Sequence, residues 1–194
     1  LLSSTNMSPA YFEETYNQKD GDVDVKIWAG IEKSLPSECG WYIYCNGRMI
    51  LDADKTITTG WGDNIAKYHP QYNRVRGFVF FDSDNPRLLP WTTTKTGIDT
   101  DSLVYRAVKL EMITLMRPII TFLNKLKDEK EAEKQLEKDE KPLQDSIADA
   151  TPTSLKNIQP SKKFVAPPPK KRPPKKRLGS ITYNKPIDAI IWSV

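Results

Sequence analysis

The sequence predicts an α+β fold: a two-layer sandwich of a mainly antiparallel sheet and one long helix, followed by a disordered tether and a short C-terminal strand. Three observations predict it. An Asn-Gly pair separates two short runs of aromatic and aliphatic residues, which is the pattern of a tight hairpin. A further aromatic and β-branched run follows. Apolar residues then recur at the spacing of one helix face.

Residues 1–22 are polar and weakly patterned and read as a loop, or as a short helix around Pro9–Tyr16. Val23, Val25 and Ile27 alternate with Asp24, Lys26 and Trp28, the period of a half-buried strand. Trp41-Tyr42-Ile43-Tyr44-Cys45 and Arg48-Met49-Ile50-Leu51 flank Asn46-Gly47. That pair suits a type I′ turn, where both central residues need positive φ. A long excursion, Asp52 to Asn73, leads to a strand over Val75–Phe81, which Asp82-Ser83-Asp84-Asn85-Pro86 ends.

Leu88–Thr100 reads as a loop, and Asp101 or Ser102 can cap the helix after it by accepting from first-turn N–H groups. Val104, Ala107, Val108, Met112, Leu115 and Met116 form that helix's apolar face. Pro118 is expected to kink or break it near Met116–Arg117 before Ile119, Ile120, Phe122, Leu123 and Leu126 resume it. The charged stretch Lys127–Lys141 either continues as a solvated helix held by acid–base pairs four apart or frays. The α/β domain therefore covers 23–141. A linker over 142–179 is expected to have no fixed structure, and 180–194 begins a C-terminal element with a short strand at Ser180–Tyr183 and an apolar run at Ile187–Trp192. Trp41 and Trp192 read as core anchors.

Composition sharpens this division. Hydrophobic residues make up 38% of the 194 residues, low for a fully globular chain, but five of the fifteen prolines crowd into Pro167–Pro174. Lys162, Lys163, Lys170, Lys171, Arg172, Lys175, Lys176 and Arg177 supply eight of the 29 basic residues with no acid among them. The remainder is acidic, 21 bases against 25 acids, so the net charge of +4 belongs to the tether. Cys39, Cys45 and His69 cannot furnish a four-ligand zinc site, and no metal site is expected. No apolar run approaches the roughly 20 residues that span a membrane, and the start lacks a signal-peptide layout. A reduced, cytoplasmic setting with both thiols buried is the expectation.

Self-contained catalysis lacks its usual equipment. His69 stands alone beside Pro70 and reads as a surface histidine, Cys45 as a structural thiol, and no glycine-rich phosphate loop occurs. What stands out is Trp91-Thr92-Thr93-Thr94-Lys95-Thr96-Gly97, between a buried strand and a capped helix. An ammonium on a flexible stem is a good point charge for a terminal phosphate, and a threonine-rich loop freed by Gly97 can move when that phosphate leaves.

Together with the Tyr42–Ile50 hairpin and its Asn46-Gly47-Arg48 turn, this order of strand, Thr-Lys loop and long helix resembles the transducer domain of the gyrase, heat-shock chaperone, histidine-kinase and MutL (GHKL) ATPases. The similarity is to MORC-like and histidine-kinase-like bacterial ATP-binding proteins, and it covers about Val23 to Leu126. The resemblance implies that Lys95 reaches the γ-phosphate of ATP, with Thr94 beside it in the nucleotide contact. It implies ATP and magnesium in the full-length protein, an ATPase domain N-terminal to Leu1 as partner, and a homodimer. The Asp-x-Gly-x-Gly stretch and glycine-rich lid of the family's nucleotide pocket do not occur in these 194 residues, so the chain alone is expected neither to bind nor to hydrolyse ATP.

Lys170, Lys171, Arg172, Lys175, Lys176 and Arg177 carry a second reading. Clustered cations on an extended proline-rich segment attract DNA or RNA phosphates by counterion release, while the same segment serves equally as a stiff, self-repelling spacer. A non-enzymatic binding module using that tether is the alternative to the ATPase reading. In a eukaryotic host the run would also suit nuclear localisation.

Overall fold

A computed structural model describes residues 1–136, 142–159 and 161–169. It has the predicted α+β architecture, a mostly antiparallel sheet backed by one long helix. β1 (Leu2–Ser3) is short, and β2 (Ala10–Gln18) and β3 (Gly21–Ile31) form a hairpin. β4 (Gly40–Cys45) and β5 (Arg48–Asp54) form the second. β6 (Val75–Asp82) inserts between the two hairpins, giving the order β2-β3-β6-β4-β5. It runs antiparallel to β3 and parallel to β4, the one parallel seam in this sheet.

Asn46 and Gly47 have φ of 45° and 75°, both positive as the type I′ turn demands. The Asn46 side chain adds a second function. Its Nδ2 donates to Ser83 O at 2.9 Å and its Oδ1 accepts from Ser83 N at 2.9 Å, tying the hairpin turn to the end of β6.

Alternation assigns the two faces of the sheet. Val23, Val25, Ile27, Ala29 and Ile31 of β3 point to the core, as do Trp41, Ile43 and Cys45 of β4 and Val79 and Phe81 of β6. Over them lies α1 (Leu103–Leu136), begun by Ser102, whose Oγ accepts from Tyr105 N at 3.4 Å. Val104, Val108, Met112, Met116, Ile119 and Leu123 are buried at the predicted helical period. Gly77 leaves room for the Trp41 indole, because a Cβ there would lie 2.2 Å from Trp41 Cε3. Cys39 and Cys45 are both buried free thiols, as expected.

The opposite face carries a second aromatic layer. Tyr11, Trp28, Phe78 and Tyr42 stand in register across four strands. Tyr11 and Trp28 have ring centroids 4.2 Å apart, and Tyr42 and Phe78 stack at 5.2 Å. In the next row Lys26 is followed by Phe80 and Tyr44, stacked at 5.0 Å, and then by Met49.

Three expectations are corrected in whole or in part. Residues 10–18 are a strand and not a loop or short helix. The nine-residue pairing with β3 and the packing of Phe12 and Tyr16 on the core decide this, although half of β2 is polar. Of the kink or break expected at Pro118, the break does not occur, and α1 runs continuously through it. It forgoes one backbone bond, but Met116, Ile119 and Ile120 on either side are buried, and that packing outweighs a penalty of about 3 kcal/mol.

The linker expected over 142–179 is structured across its described part. α2 (Pro142–Ala148) starts where Glu129 of α1 accepts from Leu143 N and Gln144 N, and it buries Ile147. β7 (Thr151–Pro152) pairs with β1. The chain then returns along the edge of β2: Tyr11 N donates to Ser161 O, Ser8 bridges Val165, and Phe164 packs on Phe122. The apolar residues Ile147, Ile158 and Phe164 hold these segments, each with 6% of its surface exposed. The run 170–179, the strand at 180–183 and the packing run with Trp192 lie outside the described residues.

Candidate functional site

The loop between β6 and α1 is pinned at its base and open at its tip. Trp91 forms an antiparallel bridge with Ile98, and Thr92 N donates to Gly97 O at 2.9 Å. Inside this neck, Lys95 N donates to Thr92 O at 2.7 Å, closing a four-residue turn around Thr93 and Thr94. The hydroxyls of Thr92, Thr94 and Thr96 form a chain, with oxygen separations of 3.2 and 2.8 Å. A threonine-rich sequence therefore gives a small loop that orders itself with its own side chains.

Lys95 occupies the tip with φ of +55°, a left-handed conformation that glycine adopts freely and that costs an L side chain about 1 kcal/mol. The side chain is exposed, and its Nζ sits 4.5 Å from the centroid of the Trp91 ring. Such an exposed cation–π contact contributes about 0.5–1 kcal/mol. Among the described residues no carboxylate forms an ion pair with Lys95, whereas Lys109 pairs with Asp63 at 2.8 Å just beyond the first turns of α1. The ammonium is therefore accessible and rests on the Trp91 ring with no carboxylate partner among the described residues.

Sequence reasoning identified Lys95 and Thr94 together, and the loop places them side by side. Thr94 has its hydroxyl within the threonine chain. Trp91 was not singled out beside Lys95; its place four positions before it, across a turn, is the signal that could have found the contact. The first turns of α1 also present Leu103 and Leu110 outward, 81% and 64% exposed, where a solvated helix face would carry charge.

The other named candidates have ordinary surroundings. His69 is exposed, and its Nδ1 accepts from Gln71 N at 3.3 Å at the start of a short 3₁₀ turn. Burial, aided by the charge of Asp82, pushes the Cys45 thiol up to about 12, so it stays protonated and inert at neutral pH. Lys170, Lys171, Arg172, Lys175, Lys176 and Arg177 lie outside the described residues. A cleft of about 1010 Å³ lies between β2 and the middle of α1, with Glu14, Glu111 and Lys162 at its rim. Among the described residues no helix is long and apolar enough to cross a membrane. No family model and no curated protein matches the chain.

Proposed function

We propose that this chain is the transducer part of a GHKL-type ATPase, and that Lys95 is the switch lysine that meets the γ-phosphate of ATP held by a preceding ATPase domain. The observation that carries the reading is the state of Lys95. A lysine holds a left-handed tip position that favours glycine, in a loop pinned at its neck, with its ammonium resting on an aromatic ring and on no carboxylate among the described residues. Backbone strain of this kind persists where a particular side chain is needed at that point.

The chemistry follows from charge. Phosphoryl transfer spreads negative charge over the terminal oxygens, and a lysine stabilises it without acting as a base. The contact with Trp91 is weak enough for a phosphate to replace it, so loss of the phosphate returns Lys95 to the ring. The neck at Thr92 and Gly97 leads directly into α1, so a movement of the tip is passed to a 34-residue helix. The exposed Leu103 and Leu110 on the N-terminal part of α1 would supply an apolar contact for the domain that carries the nucleotide. Magnesium would bind with the ATP in that domain.

The test is ATP turnover by the polypeptide that joins the ATPase domain to this chain. Lys95→Ala should lower kcat by about 10²-fold, while the melting temperature holds because Lys95 is exposed. Lys95→Gly should lose turnover equally without losing stability, since glycine relieves the left-handed backbone. Turnover unchanged in both variants would remove the proposed role.

A further inference from the structure

The aromatic layer on the second face of the sheet has no function in the reading above, and no helix covers it among the described residues. Tyr11, Trp28, Phe78 and Tyr42 cross four strands as one row, with Phe80 and Tyr44 beside them. All six are half-buried, and none belongs to the core under α1. Aromatic platforms of this kind take either unstacked bases or proline-rich chains.

Charge decides between the two. On this face Lys26 is answered by Glu13 at 3.3 Å, and Arg76 by Glu38 at 3.0 Å. Asp22, Asp24 and Asp82 continue the face beyond Lys26 and Phe80. Among the described residues no lysine or arginine pairs with these three. They open into a cleft of about 720 Å³ that Asp20 and Asp84 also line. A phosphate backbone would be repelled there, whereas a cationic chain would be attracted.

The sequence contains a matching chain. Pro167-Pro168-Pro169-Lys170-Lys171-Arg172-Pro173-Pro174-Lys175-Lys176-Arg177 combines prolines, which stack on aromatic rings, with cations that suit both ring faces and carboxylates. Its described start follows the segment that runs along the edge of β2, the strand that carries Tyr11. Pro167–Pro169 line a small cleft together with Ser4–Asn6, and Ser146 Oγ donates to Pro168 O at 2.8 Å. A few residues after Asn6, Pro9 covers Gly30 at the end of the strand that carries Trp28. Drawn out as a polyproline-type helix, the eight residues 170–177 span about 25 Å. Crossing from Tyr11 to Tyr42 takes about 14 Å, three strand spacings.

We propose that the acid-rimmed aromatic face of the sheet is a docking surface for a proline-rich cationic segment, and that its occupant is this chain's own Lys170–Arg177. Docked there, the segment withholds its cations from nucleic acid. The inference does not depend on the role of Lys95.

The experiment compares ¹H–¹⁵N spectra of the chain with those of a variant in which all six lysines and arginines between 170 and 177 are serine. The expected differences fall on the Trp28 indole and on the strands carrying Tyr42, Tyr44, Phe78 and Phe80. They should disappear in about 1 M salt and be independent of protein concentration. A synthetic peptide of residues 167–177 added to the serine variant should restore them saturably, and Asp24→Asn with Asp82→Asn should weaken its binding about threefold to tenfold. Four results would overturn the proposal: no spectral difference, differences confined to the cleft at Glu111 and Lys162, shifts that grow with protein concentration, or the same face answering to a single-stranded oligonucleotide.

Discussion

Gly77→Ala is the sharpest test of how the two hairpins are joined. Gly77 stands directly opposite Trp41 across the parallel seam between β4 and β6. A Cβ at 77 would lie 2.2 Å from Trp41 Cε3, 2.3 Å from Cζ3 and 2.6 Å from Cδ2. Carbon atoms pack at about 3.5–4.0 Å, so the indole must retreat by more than about 1 Å. Those three atoms belong to a rigid ring, and Trp41 has no exposed surface into which it could swing.

Overpacking of this kind costs about 1–3 kcal/mol, and the geometry argues for the upper end. Gly77 does not have a left-handed φ, so alanine gives back about 0.4–1 kcal/mol by restricting the unfolded chain. The net expectation is a loss of about 2 kcal/mol, seen as a fall in Tm of about 4–8 °C. Far-UV circular dichroism melts and urea titrations with an unchanged m value would measure it. The control is Trp41→Leu, which removes the offending ring atoms at its own cost. In that background the same alanine should be neutral or stabilising. An equal loss in both backgrounds, or no loss beside the native tryptophan, would refute the steric argument.

Two further predictions concern the hairpin turn and the buried thiol. Asn46→Ala should cost about 2–3 kcal/mol, because it removes the two bonds to Ser83 and leaves at positive φ an alanine, which tolerates that conformation less well than asparagine. Asn46→Gly loses only the bonds and should cost about half as much in the same chemical denaturation assay. The Cys45 thiol ionises near 9 when free and near 12 when folded, so the folded state keeps a proton that the unfolded chain releases. Stability should therefore be fully present below pH 9 and fall as pH rises from 9 to 12, at up to about 1.4 kcal/mol per pH unit. Cys45→Ala should flatten that slope in urea titrations repeated across pH, and native Cys45 should resist thiol reagents until the chain unfolds.

The parts legible in the sequence were those with a local cause. Asn46-Gly47 dictates its own turn, the alternation in β3 fixes a face, and Ser102 with the apolar period of α1 defines the helix. The parts missed were decided at a distance. β2 is polar along half its length and becomes a strand because β3 offers it nine partners. The segment 161–165 looked like tether until Phe164 met Phe122 and Ser8 met Val165, more than forty positions away in the first case and more than one hundred and fifty in the second. The Thr-Lys loop was legible as a loop, but the ring beneath Lys95 was not, because a turn brings Trp91 and Lys95 together without any periodic signal. The aromatic layer was hidden for a related reason: its rows run across strands, perpendicular to the order in which the sequence is written.

The return of the chain along β2 also fixes how the molecule answers to tension. Leu1 pairs with Thr153 and Ser8 with Val165, each an antiparallel contact between an early and a late segment. A pull between whatever precedes Leu1 and whatever follows Pro169 therefore loads these bonds one after another, as a zipper, and never all at once in shear. The strap would peel first and lay bare the N–H of Tyr11, while the five-stranded sheet and α1 carried little of the load. The molecule is built to yield at its seam of ends at low force and to keep the loop that carries Lys95 intact.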